Sequence, residues 1–165
     1  SANPTNNLEE IINYFGQSGN IGKYRFYCLL SYGDQRYAEK ICKLGHEVLG
    51  ESFKPVKKYL NRIEYANYIS TIDVLIMNHQ RQQGLGNILS FLFLGKKVYI
   101  RGDNSLYPFF EENEIKIYNT LDLLKSKDNN VVSYINSETV LDNIKKTEKL
   151  ISWDSIAPQW KQIIT

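Results

Sequence analysis

Three observations predict an α/β domain with a mainly parallel sheet. Short apolar runs of strand type alternate with stretches of helical spacing at least four times. Gly, Asp or Asn stands at several of the junctions, where chains end strands and start helices. The 165 residues are 42% hydrophobic and 23% charged, which suits a single domain with its own core across residues 1–165. With right-handed crossovers, this order gives a Rossmann-like parallel sheet with flanking helices.

Each element follows from local pattern. LEEIINYFGQSG (8–19) is a predicted helix, preceded by Asn3, Pro4, Thr5 and Asn6 as a capping region and closed by Gly. KYRFYCLLSYG (23–33) is a strand stopped at Gly33. DQRYAEKICKLGHEVLG (34–50) returns to helical spacing, with Asp34 as cap and Tyr37, Ile41, Leu44 and Val48 on one stripe. FKPVKKYL (53–60) is a short strand. NRIEYANYIST (61–71) is a helix with Ile63, Ala66 and Ile69 inward. TIDVLIMN (71–78) is a strand, GLGNILSFLFLG (84–95) a buried helix and KKVYI (96–100) a strand. SLYPFFEENE (105–114) is a short helix broken by Pro108, and IKIYN (115–119) a strand. NSETVLDNIKKTEKLIS (136–152) and WDSIAPQWKQIIT (153–165) are helices. Trp153 and Trp160, seven apart, share a face of the latter, either for packing or for a membrane interface. SKDNNVVSYINSE is a polar surface loop.

Composition narrows the partners. Net charge is +2 with acids and bases intermixed, so nothing points to nucleic acid. No apolar run approaches the ~18 residues of a membrane span, and no signal peptide opens the chain. Cys28 and Cys42 lack metal-ligand spacing and read as buried free thiols. No Asp-x-Asp pattern or His/Cys cluster offers a metal site, and no metal or other cofactor is expected.

The segment NHQRQQGLGNI (78–88) places polar groups and glycines between two apolar runs. In open parallel sheets, ligands sit beyond the C-terminal strand ends. The first helical N–H groups lack internal partners, and the helix dipole is positive there. Glycine lets an anion come close to the backbone. Arg81 can pair with a phosphate. Gln82, Gln83 and Asn87 offer amides for hydroxyls or a base edge, and His79 can donate to a phosphate or hydroxyl. Gly-x-Gly at a strand–helix junction serves a plain tight turn equally well, and a lone His is often structural.

NHQRQQGLGNILSFLFLGKKVYI, read with LLSYGDQRYAEKI and WDSIAPQW, resembles a bacterial family. It is similar to the 4-acetamido-4,6-dideoxygalactose (Fuc4NAc) transferases of enterobacterial common antigen synthesis, also called 4-alpha-L-fucosyltransferases, glycosyltransferase family 56. The shared string is Asn78, His79, Arg81, Gln82, Gln83, Gly84, Leu85, Gly86 and Asn87, then Gly95, Lys96, Lys97, Val98 and Tyr99. The opening ANPTNN also resembles the family's loop after the first strand of its C-terminal domain.

The resemblance covers most of this chain and about the C-terminal half of a full-length member. It implies the C-terminal, donor-binding half of a two-domain GT-B glycosyltransferase. The implied substrates are a dTDP-sugar donor and an undecaprenyl-diphosphate-linked saccharide acceptor. Transfer proceeds with inversion and without metal, at the cytoplasmic face of the inner membrane. The resemblance places the diphosphate on Gly84 to Asn87 with Arg81, and the sugar near Gln82 and Gln83. Ser31, Tyr32 and Gly33 line the base or diphosphate, and Thr5 and Asn6 close the cleft. The acceptor domain, its general base and the first, central strand are expected to lie outside this chain. The chain alone is therefore expected to be inactive, with a gap or open edge in its sheet that invites a homodimer. Many retaining GT-B enzymes carry Glu-Gly-Phe-Gly and a later ribose-binding Glu. Here Gln83 and Ser90 stand near those places, so a carboxylate clamp on ribose is not expected.

Two rival readings differ in class. A non-catalytic α/β interaction module of the response-regulator kind predicts a phosphorylatable Asp at a strand end, where this chain has Asn78. A 2-epimerase-type enzyme needs cleft carboxylates, which the NHQRQQGLGN segment does not supply.

Overall fold

The computed structural model describes residues 1–19, 21–126, 133, 135–152 and 154. Strands β1 (Phe26–Leu29) and β2 (Phe53–Val56) pair in parallel. Strand β4 (Lys97–Ile100) lies between β3 (Val74–Met77) and β5 (Tyr118–Asn119), again in parallel. The predicted α/β class with parallel strands is therefore observed. Among the described residues β1 and β3 are not paired with each other, so the sheet is interrupted between them. Pro55, which lacks an N–H, is tolerated because β2 is a terminal strand.

The helices are α1 (Leu8–Gln17), α2 (Gln35–Leu49), α3 (Arg62–Ser70), α4 (Leu85–Phe93), α5 (Leu106–Glu112), α6 (Thr120–Lys125) and α7 (Ser137–Ile151). Side-chain caps start several of them. Asp34 accepts from the Tyr37 N–H at 3.0 Å, as the sequence predicts. Asn61 accepts from the Glu64 N–H at 3.0 Å while Glu64 accepts from the Asn61 N–H at 2.8 Å, a reciprocal capping box.

Alternation along the strands explains the layers. Phe26 and Cys28 of β1, Val74 and Ile76 of β3, and Tyr99 of β4 join a first apolar cluster with Ile12, Phe15, Ile41 and Leu123 from α1, α2 and α6. Leu75 and Met77 of β3 and Val98 and Ile100 of β4 join a second with Ile69, Ile88, Phe91 and Phe110 from α3, α4 and α5. Successive strand residues point to opposite faces, so helices cover both sides. The two sheet pieces also share faces across the interruption: Tyr27 of β1 packs edge-on against Tyr68 of α3, a residue of the second cluster's rim.

Some expectations need correction. Ile69 is buried as expected, but Ile63 is 74% exposed and Ala66 is exposed; Tyr65 and Tyr68 face inward in their place. The Asn61 cap sets where α3 begins, and its phase points Ile63 outward. Pro108 does not break a helix. It is the third residue of α5, where its absent N–H has no helical acceptor to lose. Helix α6 was not anticipated. It starts directly from β5, with Asn119 accepting from the Leu121 N–H at 2.9 Å. Cys28 and Cys42 are free thiols, half-buried and buried respectively. The helix over 153–165, with Trp153 and Trp160, and most of SKDNNVVSYINSE lie outside the described residues. Among the described residues no helix is long and apolar enough to cross a membrane.

Candidate functional site

Three loops meet at the C-terminal ends of the strands. Ala2 bridges Gly33 in parallel, donating to the Tyr32 carbonyl at 2.7 Å and accepting from the Asp34 N–H at 2.8 Å. Gly33 is required there: its φ is +110°, and a Cβ would fall on the Ala2 carbonyl. On the other side, the Gln80 N–H donates to the Thr5 carbonyl at 3.1 Å, and Asn7 Nδ2 to the Asn78 carbonyl at 3.1 Å. The opening segment thus ties the loop after β1 to the loop after β3. Thr5, Asn6, Ser31, Tyr32, Gly33 and residues 78–87 come to one edge, as the sequence predicts.

The start of α4 faces this edge. Its N-cap is Gly84, at φ +70° and without a side-chain cap. The first helical bond is Ile88 N–H to the Gly84 carbonyl, so the N–H groups of Leu85, Gly86 and Asn87 precede the ladder. Gly84 and Gly86 are exposed, and a Cβ on Gly86 would meet nothing within 4 Å. Arg81 and Gln82 are exposed, and among the described residues Arg81 makes no ion pair. Gln83 Oε1, His79 Nδ1 and Asn6 Oδ1 are buried without partners, and Asn6 is only 2% exposed. Unpaired buried polar atoms of this kind are costly unless something meets them, and the two amide oxygens call for a donor.

The other predicted residues do different work. Leu85 packs against the second cluster, so only its backbone faces the edge. Asn87 Oδ1 accepts from the Tyr65 hydroxyl at 2.9 Å. Thr5 Oγ1 donates to Asn3 at 2.8 Å. Asn78 is buried and committed. Its Oδ1 accepts from Thr120 Oγ1 at 2.8 Å and Arg101 Nη1 at 3.4 Å, and its Nδ2 donates to Glu10 at 2.8 Å. It holds the edge together and has little left for a ligand.

Sequence reading missed that supporting shell. Arg101, directly after β4, bonds Glu10 at 3.0 Å and Asp103 at 2.9 Å. Asn104 Nδ2 donates to the carbonyls of His79 at 2.7 Å and Arg81 at 2.8 Å, clamping the loop backbone. Asn104 and Thr120 are buried polar residues that follow β4 and β5, and nothing local in the sequence marks their role. Burial, aided by the nearby Ser1 ammonium, lowers the His79 pKa to about 4. The ring is neutral at pH 7 and can donate one N–H to a ligand oxygen, without contributing positive charge.

Among the described residues no group of three His, Cys, Asp or Glu converges as a metal site. Two surface hollows of 720 and 410 Å³ lie elsewhere, one around Lys23, Arg25 and Lys54, the other around Lys116, Asn136 and Asp142. Neither is lined by residues 78–87 or by the loop after β1. Compared with family models, with curated proteins and with solved structures, the chain finds no match in any of the three.

Proposed function

We propose that this chain is the donor-binding domain of an inverting glycosyltransferase of the Fuc4NAc-transferase kind. One observation carries the reading. A helix start with no side-chain cap, exposed at Gly84 and Gly86 and preceded by the exposed Arg81, stands at the C-terminal edge of a parallel sheet. In this reading the N–H groups of Leu85, Gly86 and Asn87 hold the diphosphate, and Arg81 neutralises its charge. These groups favour departure of the nucleoside diphosphate, where negative charge grows in the transition state. Gln82 and Gln83 contact the sugar. Ser31, Tyr32 and Gly33 line the base or diphosphate, and Thr5 and Asn6 border the cleft.

The donor is a dTDP-sugar, and the acceptor, a lipid-linked saccharide, is met by a second domain that also supplies the general base. The whole enzyme then works peripherally at the cytoplasmic face of the inner membrane. Calorimetric titration with dTDP and UDP, first without metal and then with Mg²⁺, tests the donor half. Metal-independent binding that prefers dTDP is expected, weakened about tenfold by Arg81→Ala. Binding of neither nucleotide overturns the assignment.

A further inference from the structure

We infer that the hollow at the N-terminal ends of β1 and β2 is a second anion site, built for a phosphate monoester. It uses none of the residues of the donor reading and stands whether or not that reading holds. Four observations meet in it.

The first is construction. Two chain segments face each other across a hollow of 720 Å³: residues 22–25, which lead into β1, and residues 51–54, which run into β2. The Ser52 hydroxyl donates to the Ile21 carbonyl at 2.9 Å and ties the two banks together. Phe26 and Phe53 stand opposite each other in the ladder, and both pack into the first apolar cluster. The core therefore fixes the spacing of the banks.

The second is direction. Tyr27 stands opposite Lys54 in the parallel register. Successive residues alternate faces, so Arg25, two before Tyr27, comes to the same face as Lys54. Lys23 ends the short turn Ile21–Lys23 ahead of β1 and lines the same hollow.

The third is charge. Glu51 is the single acid beside Lys23, Arg25 and Lys54. Among the described residues Lys23 and Arg25 make no ion pair and no side-chain hydrogen bond. Lys54 reaches Glu51 only at 4.0 Å, and the Glu51 side chain is fully exposed, so that pair contributes little. Three cations and one acid leave a formal +2 on one hollow. Like charges gathered in this way repel, and an anion between them relieves the repulsion.

The fourth is the match to one ligand. A phosphate monoester carries about −1.5 to −2 at pH 7, which answers the formal +2; a diester carries roughly half that charge. The Arg25 guanidinium can give two parallel bonds to phosphate oxygens, with the two ammoniums as flanking point charges. Position keeps this ligand apart from residues 78–87. The loops after β1 and β3 meet at the C-terminal edge of the sheet, and the hollow lies at the other end of β1 and β2.

The test reads a free ligand and a lipid headgroup in separate arms. In the first, amide ¹H–¹⁵N shifts are followed while glycerol 3-phosphate is added to the chain. Saturable shifts are expected at residues 22–25 and 51–54, resolved from any at 84–87. Arg25→Gln should weaken them about tenfold, and Arg25→Lys by less, since lysine keeps the charge and loses the fork. Arg25 is exposed, so both variants should keep the Tm of the parent chain. In the second arm the chain is sedimented with phosphatidylcholine vesicles that carry phosphatidic acid, a monoester, or phosphatidylglycerol, a diester. Retention on phosphatidic acid alone, lost with Arg25→Gln, assigns the phosphate to a lipid headgroup. Shifts with the free ligand and no retention assign it to a soluble one. Equal retention on both lipids is a general attraction to negative surfaces and overturns the monoester site. Neither shifts nor retention, or binding unaltered by Arg25→Gln, overturns it as well.

Discussion

Strands β3 and β4 make a useful comparison. VLIM in β3 is the more apolar of the two, and KVYI in β4 includes a lysine, yet β4 is the buried one. Even Lys97 is only 6% exposed, its ammonium 4.4 Å from the Tyr118 ring centre and 2.8 Å from Ser133 Oγ. What separates the strands is pairing. β4 has a neighbour on each edge, whereas β3 has one. Burial here follows position in the sheet more closely than residue type.

The largest expected effect tests that directly. Ile100→Ala removes a side chain 1% exposed in the second cluster, and should cost about 4 kcal/mol. Ile76→Ala, half-buried beside the interruption, should cost about half as much, because water already reaches one side. Urea denaturation of both variants measures the difference. Equal losses would mean that pairing does not set burial energy here.

A middle-sized effect concerns the polar hub that spans the interruption. Asn78, at the end of β3, joins the opening segment through Asn7 and Glu10 to the β4 and β5 ends through Arg101 and Thr120. Asn78→Ala leaves the buried Thr120 hydroxyl and the mostly buried Arg101 without one partner each. A loss of about 2 kcal/mol in the same denaturation experiment is expected. A loss below about 0.5 kcal/mol would show that the hub re-pairs with water.

The comparison also explains what the sequence could and could not tell. β1, β3 and β4 were legible as compact apolar runs, β2 and β5 only as places, since they are shorter than the 53–60 and 115–119 expected, and α2 because Asp34 and its stripe agree. The inward face of α3 was misread because Ile63 is apolar, whereas the Asn61 cap sets the phase and brings Tyr65 and Tyr68 inward. Pro108 was read as a breaker although the helix start predicted at Ser105 already placed it in the first turn, where proline is tolerated. At the edge, residues 78–87 were legible from glycine and amide composition beside a strand end. The clamps were not. Asn104 reaches back more than twenty residues to the His79 and Arg81 carbonyls, and Arg101 reaches Glu10 across the fold. Nothing local marks an Asn or Arg as a long-range partner.

The smallest expected effect is in pH dependence, at the loop that borders the interruption. The folded-state pKa of His79 is lowered from 6.5 to about 4 by burial, with help from the Ser1 ammonium. The unfolded chain therefore binds the proton more readily between those values. Stability from this group is fully present above about pH 6.5 and is lost as pH falls towards 4. Glu9, whose pKa is lowered by its hydrogen bonds to Tyr37 and Lys40 against an opposing burial effect, adds a similar loss only at pH values below its ordinary carboxylate range. The two contributions separate in a series of unfolding curves from pH 7 down to about pH 2. His79→Gln should flatten the stretch between 6.5 and 4 and leave the slope at lower pH unchanged. Solvent at the half-buried loop keeps this effect below the substitutions above. An unchanged slope in that stretch would mean the imidazole charges freely in the folded chain. Its unpartnered Nδ1 would then be reached by water.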